Sequence, residues 1–368
     1  MSAGHESPLL EALIEAGGVV VDYHGRRLVR HFGEPADEYR AASEGLAVFD
    51  RSHRVRLRVS GRAPAKMLHG VLTGVMPADP VRREDGVWCG VGSYHTVLTP
   101  KGRMVSDLWA YLRTGGDEGE FLFDVPVAGA AALVEQLSKV LPPRFAAVED
   151  VSTTTAMITV AGPEAAAALS RLAFGLRVEA HELEGLEEGE WRISGESTVD
   201  GVLVTRTGDI WSQAYNVMGP KGSVVALWAA LVAGGGRPAG LGVWSTLHVE
   251  GGRPVFGTDM DDTTIPVEAG IHDRAIDYDK GCYTGQEVIV RIRDRGHVNR
   301  HLRRIHLGDV PAPAKGTELT APGSEKTVAW VTSSVQSPRF GETIALAYVR
   351  RGVEELAFGD RTVQVPVE

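Results

Sequence analysis

The chain has 368 residues, of which 43% are hydrophobic and 23% are charged, and a formal net charge of −10. This composition is typical of a soluble globular protein, and the length indicates two or three domains. The acidic balance argues against general nucleic-acid binding, and no apolar run reaches the roughly 18 residues of a membrane helix. Cys89 and Cys282 form no CxxC pair and fit a reducing compartment, so we expect a cytoplasmic protein.

The predicted elements mix helices and strands without regular βαβ repeats. Over 54–60, apolar residues alternate with Arg54, Arg56 and Arg58, which predicts a strand with one buried and one wet face. From about residue 303, short apolar runs alternate with Pro and Gly turns, which predicts a small all-β domain of barrel type. Helices are predicted over 9–14, 37–43, 128–140, 165–173, 221–233 and 241–249, and strands over 18–25, 54–60, 90–112 (two strands and a tight turn), 120–125, 154–160, 199–206 and 214–218.

The sequence lacks several common catalytic motifs. The glycines at 234–236 follow a predicted helix and do not open one after a strand, so they indicate a helix C-cap and not a phosphate-binding loop. No GxxxxGK[ST], GxGxxG, HExxH or GxSxG pattern occurs. Nucleotide-dependent, metalloprotease and serine-hydrolase chemistry therefore have no basis in the sequence, and we expect no metal site.

The segment KGCYTGQE, residues 280–287, places a thiol and an aromatic ring between two glycines. Lys280 is close enough in sequence to favour a thiolate at Cys282, which indicates a reactive cysteine. The alternative is a loop that enters a helix at Gln286 and Glu287, with Cys282 as a small buried hydrophobic residue. The residues alone leave both interpretations open.

This segment resembles the signature of YgfZ-type folate-binding proteins almost letter for letter. The chain is also similar to the wider superfamily of the glycine cleavage T-protein, an aminomethyltransferase, in several segments that follow one another in the same order. Those segments are 32–42, 49–52, 68–73 and 261–270. The resemblance implies that Cys282 carries the function of the motif, together with Lys280, Gly281, Tyr283, Gly285, Gln286 and Glu287.

The resemblance also implies a pocket for tetrahydrofolate, or for a one-carbon or polyglutamyl derivative of it. In T-proteins a tyrosine, a catalytic aspartate on a hairpin and a second tyrosine form this pocket, and the matching residues here are Tyr94, Asp107 and Tyr111. Asp107 and Tyr111 are four residues apart, so they share one face of a strand. Aromatic rings can flank a flat pterin, and a carboxylate can orient its reduced nitrogens.

Two positions depart from the T-protein pattern. The glutamate that holds the pterin in the T-protein loop GYTGEDGFE corresponds to Asn216, and the arginine of the R-x-E-x-G segment corresponds to His248. An amide accepts hydrogen bonds at one end only, and histidine is neither permanently charged nor bidentate. Both residues are still expected at the folate pocket, where they argue against T-protein activity.

We expect an α+β fold of three domains, arranged as a ring around a central folate channel. Residues 1–58 and 150–250 are predicted to form a discontinuous folate-binding domain. Residues 59–149 and 251–298 are predicted to form a second α+β domain, which carries the KGCYTGQE segment. Residues 299–368 are predicted to form a C-terminal β-barrel domain.

The resemblance implies a tetrahydrofolate-binding protein that supports the maintenance or repair of iron–sulfur clusters and the tRNA modification that depends on them. Its partners would be folate and iron–sulfur client proteins, without direct contact to nucleic acid or membrane. One alternative is an aminomethyltransferase that transfers a one-carbon unit to tetrahydrofolate. The other is a non-catalytic scaffold that has lost folate binding, so whether the protein is an enzyme stays open.

Overall fold

The computed structural model describes residues 6–172 and 176–366, and Ala173, at the end of one predicted helix, lies outside this part. The first part of the chain begins with a short helix and a hairpin and then becomes rich in strands. Its elements are α1 (Leu10–Glu15), β1 (Gly18–Tyr23), β2 (Arg26–Phe32), α2 (Pro35–Glu44), β3 (Ala47–Asp50), β4 (Val55–Ser60), α3 (Pro64–His69), β5 (Val81–Arg82), β6 (Val87–Val91), β7 (Ser93–Leu98), β8 (Met104–Thr114), β9 (Glu120–Val125), α4 (Val127–Val140) and β10 (Ala147–Asp150).

The second part of the chain continues with mixed elements and ends in strands alone. Its elements are β11 (Thr155–Ala161), α5 (Ala165–Leu172), α6 (Ala180–Glu184), β12 (Glu190–Ser194), β13 (Leu203–Thr207), β14 (Ala214–Pro220), α7 (Lys221–Ala233), β15 (Arg237–Ala239), α8 (Leu241–Gly251), α9 (His272–Ala275), α10 (Gln286–Arg295), β16 (Arg300–Gly308), β17 (Glu318–Thr320), β18 (Thr327–Ser337), β19 (Glu342–Arg350), β20 (Glu355–Phe358) and β21 (Arg361–Gln364). None of the helices described is both long and apolar enough to span a bilayer.

Three large sheets organise these elements. The first has eight strands in the order β15-β3-β11-β14-β13-β12-β6-β5, the second has five in the order β10-β4-β9-β8-β7, and the third contains the six C-terminal strands. The hairpin β1–β2 forms a separate two-stranded sheet. The predicted α+β fold with an all-β C-terminal part is therefore confirmed.

The chain passes repeatedly between the eight-stranded and five-stranded sheets. Strand β3 pairs in the first sheet and β4 in the second, and the short strands β5 and β6 return to the first. This interleaving follows from short connections between sheets that pack face to face. The domain boundaries given above stay a prediction. Strand β4 crosses the boundary between residues 58 and 59, and β5 and β6, assigned to the second domain, pair in the sheet of the first.

Strand β4 departs from the prediction of one wet face. Arg56 is fully buried, and its guanidinium donates hydrogen bonds to the carbonyls of Ser52 (3.0 Å) and Ser152 (2.9 Å). Arg54 Nε donates to the buried carboxylate of Asp124 at 2.5 Å. The wet-face prediction is wrong for these two arginines, because polar groups of neighbouring segments satisfy them inside the protein.

The apolar core is divided by the sheets. One cluster lies between the eight-stranded sheet and helices α5 and α7. A second cluster lies between the eight-stranded and five-stranded sheets, and its members include Tyr94, Trp109, Tyr111, Met157 and Met218. Burial of each such large side chain contributes about 1.5–3 kcal/mol to the stability of the fold. The packed surfaces between the two sheets therefore hold the side chains at the sheet edges in fixed positions.

Candidate functional site

Two adjoining cavities lie where the eight-stranded sheet, the five-stranded sheet and helix α8 meet. We call them together the central cavity. The first is lined by side chains of the five-stranded sheet, of the loops after β3 and β13, and of the segment after α8. The second lies beside it and adds two histidines. The lining side chains include Arg51, His53, Arg54, Tyr94, Asp107, Trp109, Asp209, Trp244, His248, Arg253, Phe256 and Arg274.

Asp107 and Tyr94 form a hydrogen-bonded pair in the wall of the central cavity. The hairpin of β7 and β8 brings them together, since Asp107 is opposite Thr96 and Tyr94 is two residues further along. Tyr94 Oη donates to Asp107 Oδ2 at 2.5 Å, while Oδ1 has no partner among the described residues. Burial raises the pKa of Asp107, against the opposing effects of the Tyr94 hydrogen bond and the charge of Arg54. The pair therefore offers one carboxylate oxygen to a donor on a ligand.

Trp109, and not Tyr111, lines the central cavity. Residues 107, 109 and 111 share one face of β8, and the Trp109 ring lies 5.6 Å from Tyr94 and 6.2 Å from Tyr111, centre to centre. Tyr111 is only 1% exposed and does not line the central cavity. Its ring packs on Gly92, where a Cβ would lie 2.5 Å from it. Residue 109 is an even number of positions from both Asp107 and Tyr111, so the sequence already indicated that Trp109 lies on the same face of the strand.

Four arginines line the central cavity, and three of them lie beside a carboxylate. Arg274 contacts Glu188 and lies 4.8 Å above the Tyr94 ring, and Arg253 lies 3.7 Å from the same carboxylate. Arg51 stacks on Trp244 at 3.6 Å, its Nε has no hydrogen-bond partner among the described residues, and burial lowers its pKa to about 10.

With Arg54, these arginines come from three distant parts of the chain, so sequence spacing did not reveal them. Guanidinium groups in this arrangement favour a carboxylate-bearing ligand.

Asp209 lines the central cavity, whereas Asn216, which the sequence predicted there, does not. Asn216 is 1% exposed on β14, and its Oδ1 accepts a hydrogen bond from Thr159 Oγ1 at 2.6 Å. It lies behind the cavity and is not among the residues that line it. Asp209, from the same loop, does line the cavity. The loop therefore still supplies a carboxylate, seven residues before the predicted position.

His248 lines the second part of the central cavity, and its predicted role in folate binding stays a prediction. Its Nε2 is 3.5 Å from Oδ2 of the buried Asp259, and Oδ1 of that carboxylate accepts from Thr332 and Ser333 in the C-terminal sheet at 2.6 and 2.7 Å. Although burial opposes it, the neighbouring His248 and the hydrogen bonds from Thr332 and Ser333 hold the pKa of Asp259 below its usual range. His248 thus lies at the boundary between α8 and the C-terminal sheet.

The KGCYTGQE segment forms a loop and the start of α10, away from the central cavity. Lys280 Nζ donates to the carbonyls of Leu72 (2.8 Å) and Gly74 (3.0 Å), and burial lowers its pKa. Gly281 and Cys282 are exposed. The interpretation of Cys282 as a buried hydrophobic residue is therefore wrong. The ammonium group of Lys280 binds backbone carbonyls of the neighbouring segment.

The second half of the motif holds the loop in place. Tyr283 is buried in the cluster between the sheets. Gly285 has φ +85°, and a Cβ there would lie 2.7 Å from the Thr99 carbonyl, so the position requires glycine. Gln286 begins α10 and its Nε2 donates to the Lys280 carbonyl at 3.4 Å, while Glu287 in the first turn is exposed. None of the motif residues lines the central cavity.

Comparison with known proteins identifies the family. Residues 9–280 match the model of the GCVT N-terminal domain, and residues 300–368 match that of the glycine cleavage T-protein C-terminal barrel domain. The chain belongs to this family. It is 29% identical over 353 residues to the aminomethyltransferase of Corynebacterium jeikeium, covering 91% of this chain and 86% of that one. It is 28% identical over 357 residues to that of Thermotoga maritima, covering 95% and 90%.

The fold is that of a solved family member. The crystal structure of glycine cleavage system aminomethyltransferase T from Bartonella henselae matches with a TM-score of 0.82 and 19% identity, over 100% of this chain and 97% of that one. The predicted superfamily and T-protein fold are confirmed. The names of the relatives support the aminomethyltransferase alternative better than the YgfZ-type interpretation.

Among the described residues, no cluster of His, Cys, Asp and Glu has a geometry suited to a metal ion.

Proposed function

We propose that the central cavity binds reduced folate and that the protein transfers a one-carbon unit to it, as an aminomethyltransferase does. The observation that carries this proposal is the unpaired Oδ1 of the buried Asp107 beside Tyr94. A buried acceptor without a partner costs about 1–3 kcal/mol, and an N–H of a reduced pterin would supply the missing donor. The names of the relatives point to the same activity.

Different lining residues would contact different parts of the folate. Trp109 and Tyr94 offer aromatic faces to a flat pterin, and Asp209 can accept hydrogen bonds from its ring N–H and amino groups in place of the glutamate lost at Asn216. Arg253 and Arg274, which share the carboxylate of Glu188, can bind the carboxylates of the glutamate tail.

Ligand entry requires rearrangement at the Arg51–Trp244 stack. Each part of the central cavity encloses only about 40 Å³, far less than the roughly 300 Å³ of common ligand sites. Arg51 lies at both parts and stacks on Trp244, and no described residue forms a hydrogen bond with its Nε. A folate carboxylate would give Arg51 the partner that it lacks, so displacement of this side chain is favoured by the ligand itself.

Asp107 is the group that we propose to act in the reaction. As a one-carbon unit joins a folate nitrogen, positive charge develops there, and a nearby carboxylate stabilises it. Tyr94 holds the carboxylate by its 2.5 Å hydrogen bond, and burial keeps the pKa of Tyr94 well above its usual value, so its hydroxyl stays a donor. The protein's contribution is therefore a fixed, buried negative group.

A reconstituted glycine cleavage assay tests this proposal. We expect tetrahydrofolate-dependent formation of methylenetetrahydrofolate by the wild type. We expect a loss of about 100-fold or more with Asp107→Asn, which keeps the shape and removes the charge. Asp117→Asn on an exposed turn is the matched control and should retain full activity. Turnover that is absent in the wild type, or equal in the two variants, would contradict the proposal.

A second candidate function is support of iron–sulfur proteins and of the tRNA modification that depends on them, with iron–sulfur client proteins as partners. It is favoured by the exposed Cys282 on a loop held by Lys280 and Gly285. Cys89 is the natural control, because it is half-buried and burial raises its pKa.

Complementation of cells that lack this function separates the two candidates. If Cys282 acts, Cys282→Ser should lose complementation while keeping one-carbon transfer, and Cys89→Ser should keep both. If Cys282→Ser complements fully, the second candidate function does not depend on the thiol, and the observation that favours it is lost.

A further inference from the structure

A second enclosed space, which we call the distal cavity, lies at the far end of the strands that carry the central cavity. It encloses about 240 Å³, and its lining includes Arg56, Arg58, Arg113, Glu120 and Met218. Strand β8 carries Asp107 at the central cavity and Arg113 at the distal cavity, six residues or about 20 Å apart. The two cavities are therefore distinct sites, and the distal one has room for a small molecule.

Arg113 forms no ion pair with a carboxylate of the described residues, although the charges of Glu120 and Asp200 act on it from a longer distance. The side chain is only 4% exposed, and a terminal nitrogen donates to the carbonyls of Val199 (3.0 Å) and Gly201 (3.4 Å). Its Nε has no hydrogen-bond partner among the described residues, and burial lowers the pKa of Arg113 to about 10. A buried guanidinium held only by carbonyls would gain from a ligand carboxylate.

Glu120, on the neighbouring strand β9, is in the opposite situation. Burial raises its pKa, against the opposing charges of Arg58 and Arg113. Arg58 is directed elsewhere, since its guanidinium forms an ion pair with Glu149. Asp200 adds a second carboxylate to the lining of the same cavity. The half-buried Glu120 would gain from a positively charged ligand group, and the exposed Asp200 would lie beside that group.

The remaining walls of the distal cavity are apolar. Leu122, Val151, Val199, Met218 and Pro220 supply them, and Met218 belongs to the cluster between the sheets. A ligand suited to this lining has a short uncharged body and charges of both signs at one end. A ligand with only one charge would bind directly to either Arg113 or Glu120 and give the other no new partner.

We propose that the distal cavity binds a free α-amino acid with an uncharged side chain. Its carboxylate is held by Arg113, its ammonium group by Glu120 and Asp200, and its side chain by the apolar wall around Met218. This site does not depend on folate binding at the central cavity, since no residue of the distal cavity named here lines the central one.

Calorimetric titration with matched ligands tests the pairing of charges. The wild type is titrated with each uncharged L-amino acid. The amino acid that binds best is then compared with its analogues lacking the amine or the carboxylate; for L-leucine these are 4-methylpentanoate and 3-methylbutylamine. We expect the amino acid to bind at least tenfold more tightly than either analogue. If no amino acid binds at millimolar concentration, or if one analogue binds equally well, the proposal is overturned.

Two variants locate the site. Arg113→Met removes the guanidinium. Val199→Trp fills the cavity from its partly exposed rim and leaves every charge in place. Because the two variants differ in kind, the test does not depend on one of them folding. Both should weaken amino-acid binding at least tenfold and leave titration with tetrahydrofolate unchanged. Arg62→Gln, at an exposed position outside the cavity, is the control. Unchanged amino-acid binding in both cavity variants would place the site elsewhere.

Discussion

At the scale of single residues, the buried carboxylate of Asp107 is the most informative group. It is held from one side by Tyr94 and has no partner on the other among the described residues. Such an arrangement costs stability in the ligand-free protein, because burial disfavours the charged form. A group kept in place at this cost is typical of a functional site.

The first prediction concerns the pH dependence of stability at Asp107. Its raised pKa means that the charged form weakens the fold, and this cost is absent at low pH, where the carboxyl is protonated. It grows as the pH rises through the ordinary value of about 3.9 towards the raised one. Asp107→Asn should therefore melt at or above the wild-type temperature at pH 7, with a smaller difference near pH 4.

Thermal melts of both proteins across this pH range check the prediction. Asp117→Asn, at an exposed position, should show no such trend. A variant that melts lower than the wild type at pH 7, by more than it does near pH 4, would show that the Asp107 charge stabilises the fold.

At the scale of elements, the loop before α10 is held by backbone contacts more than by its own side-chain chemistry. Lys280 satisfies the carbonyls of Leu72 and Gly74, and the amide of Thr284 donates to the Gly70 carbonyl at 3.2 Å. The sequence motif therefore has a structural part, in Lys280 and Gly285, and an exposed part, in Cys282.

The second prediction separates these parts. Lys280→Met leaves two carbonyls without their donor, so amides in 279–286 should exchange with deuterium at least several-fold faster than in the wild type. Lys101→Met, on the exposed turn between β7 and β8, is the matched control. Hydrogen-exchange mass spectrometry measures both. Unchanged exchange in the Lys280→Met loop would show that other contacts suffice to hold it.

The sequence predicted elements better than it predicted their surroundings. The hairpin of β7 and β8 and the strands after residue 300 follow from alternation and turn residues, and they are present. The burial of Arg56 was missed because alternation of polar and apolar residues shows which face of a strand is polar. It does not show whether water or a buried polar group lies opposite that face. Asn216 was placed in the pocket by resemblance, whereas the loop presents Asp209 there. The arginines of the central cavity come together only in three dimensions.

At the scale of the whole molecule, Glu250 joins the C-terminal sheet to the rest of the protein. It is fully buried at the end of α8 and accepts hydrogen bonds from Tyr39 Oη, Trp211 Nε1 and Ser337 Oγ, and from the amide of Arg339. Its donors come from three separate regions of the chain. Together with Asp259, it fixes the C-terminal sheet against the wall of the central cavity.

The third prediction concerns this joint. Glu250→Ala leaves several buried donors unpaired and should lower the free energy of unfolding by about 3–5 kcal/mol. Because the C-terminal sheet would lose its main polar contact, calorimetric unfolding should separate into two transitions. Glu354→Ala, at an exposed position near the C-terminus, should leave the transition unchanged. A single transition at the wild-type temperature for Glu250→Ala would show that apolar contacts alone join the two parts.

The central claim is that reduced folate binds at the wall formed by Tyr94, Asp107 and Trp109. Calorimetric titration with tetrahydrofolate tests it most directly, using Trp109→Ala and, as the matched control, Trp88→Ala, whose ring is half-buried beside Arg82 and does not line the cavity. Loss of a stacking face costs about 1–3 kcal/mol. We therefore expect at least roughly tenfold weaker binding for Trp109→Ala and wild-type affinity for Trp88→Ala. Equal affinity in all three proteins, or no binding by the wild type, would contradict the claim.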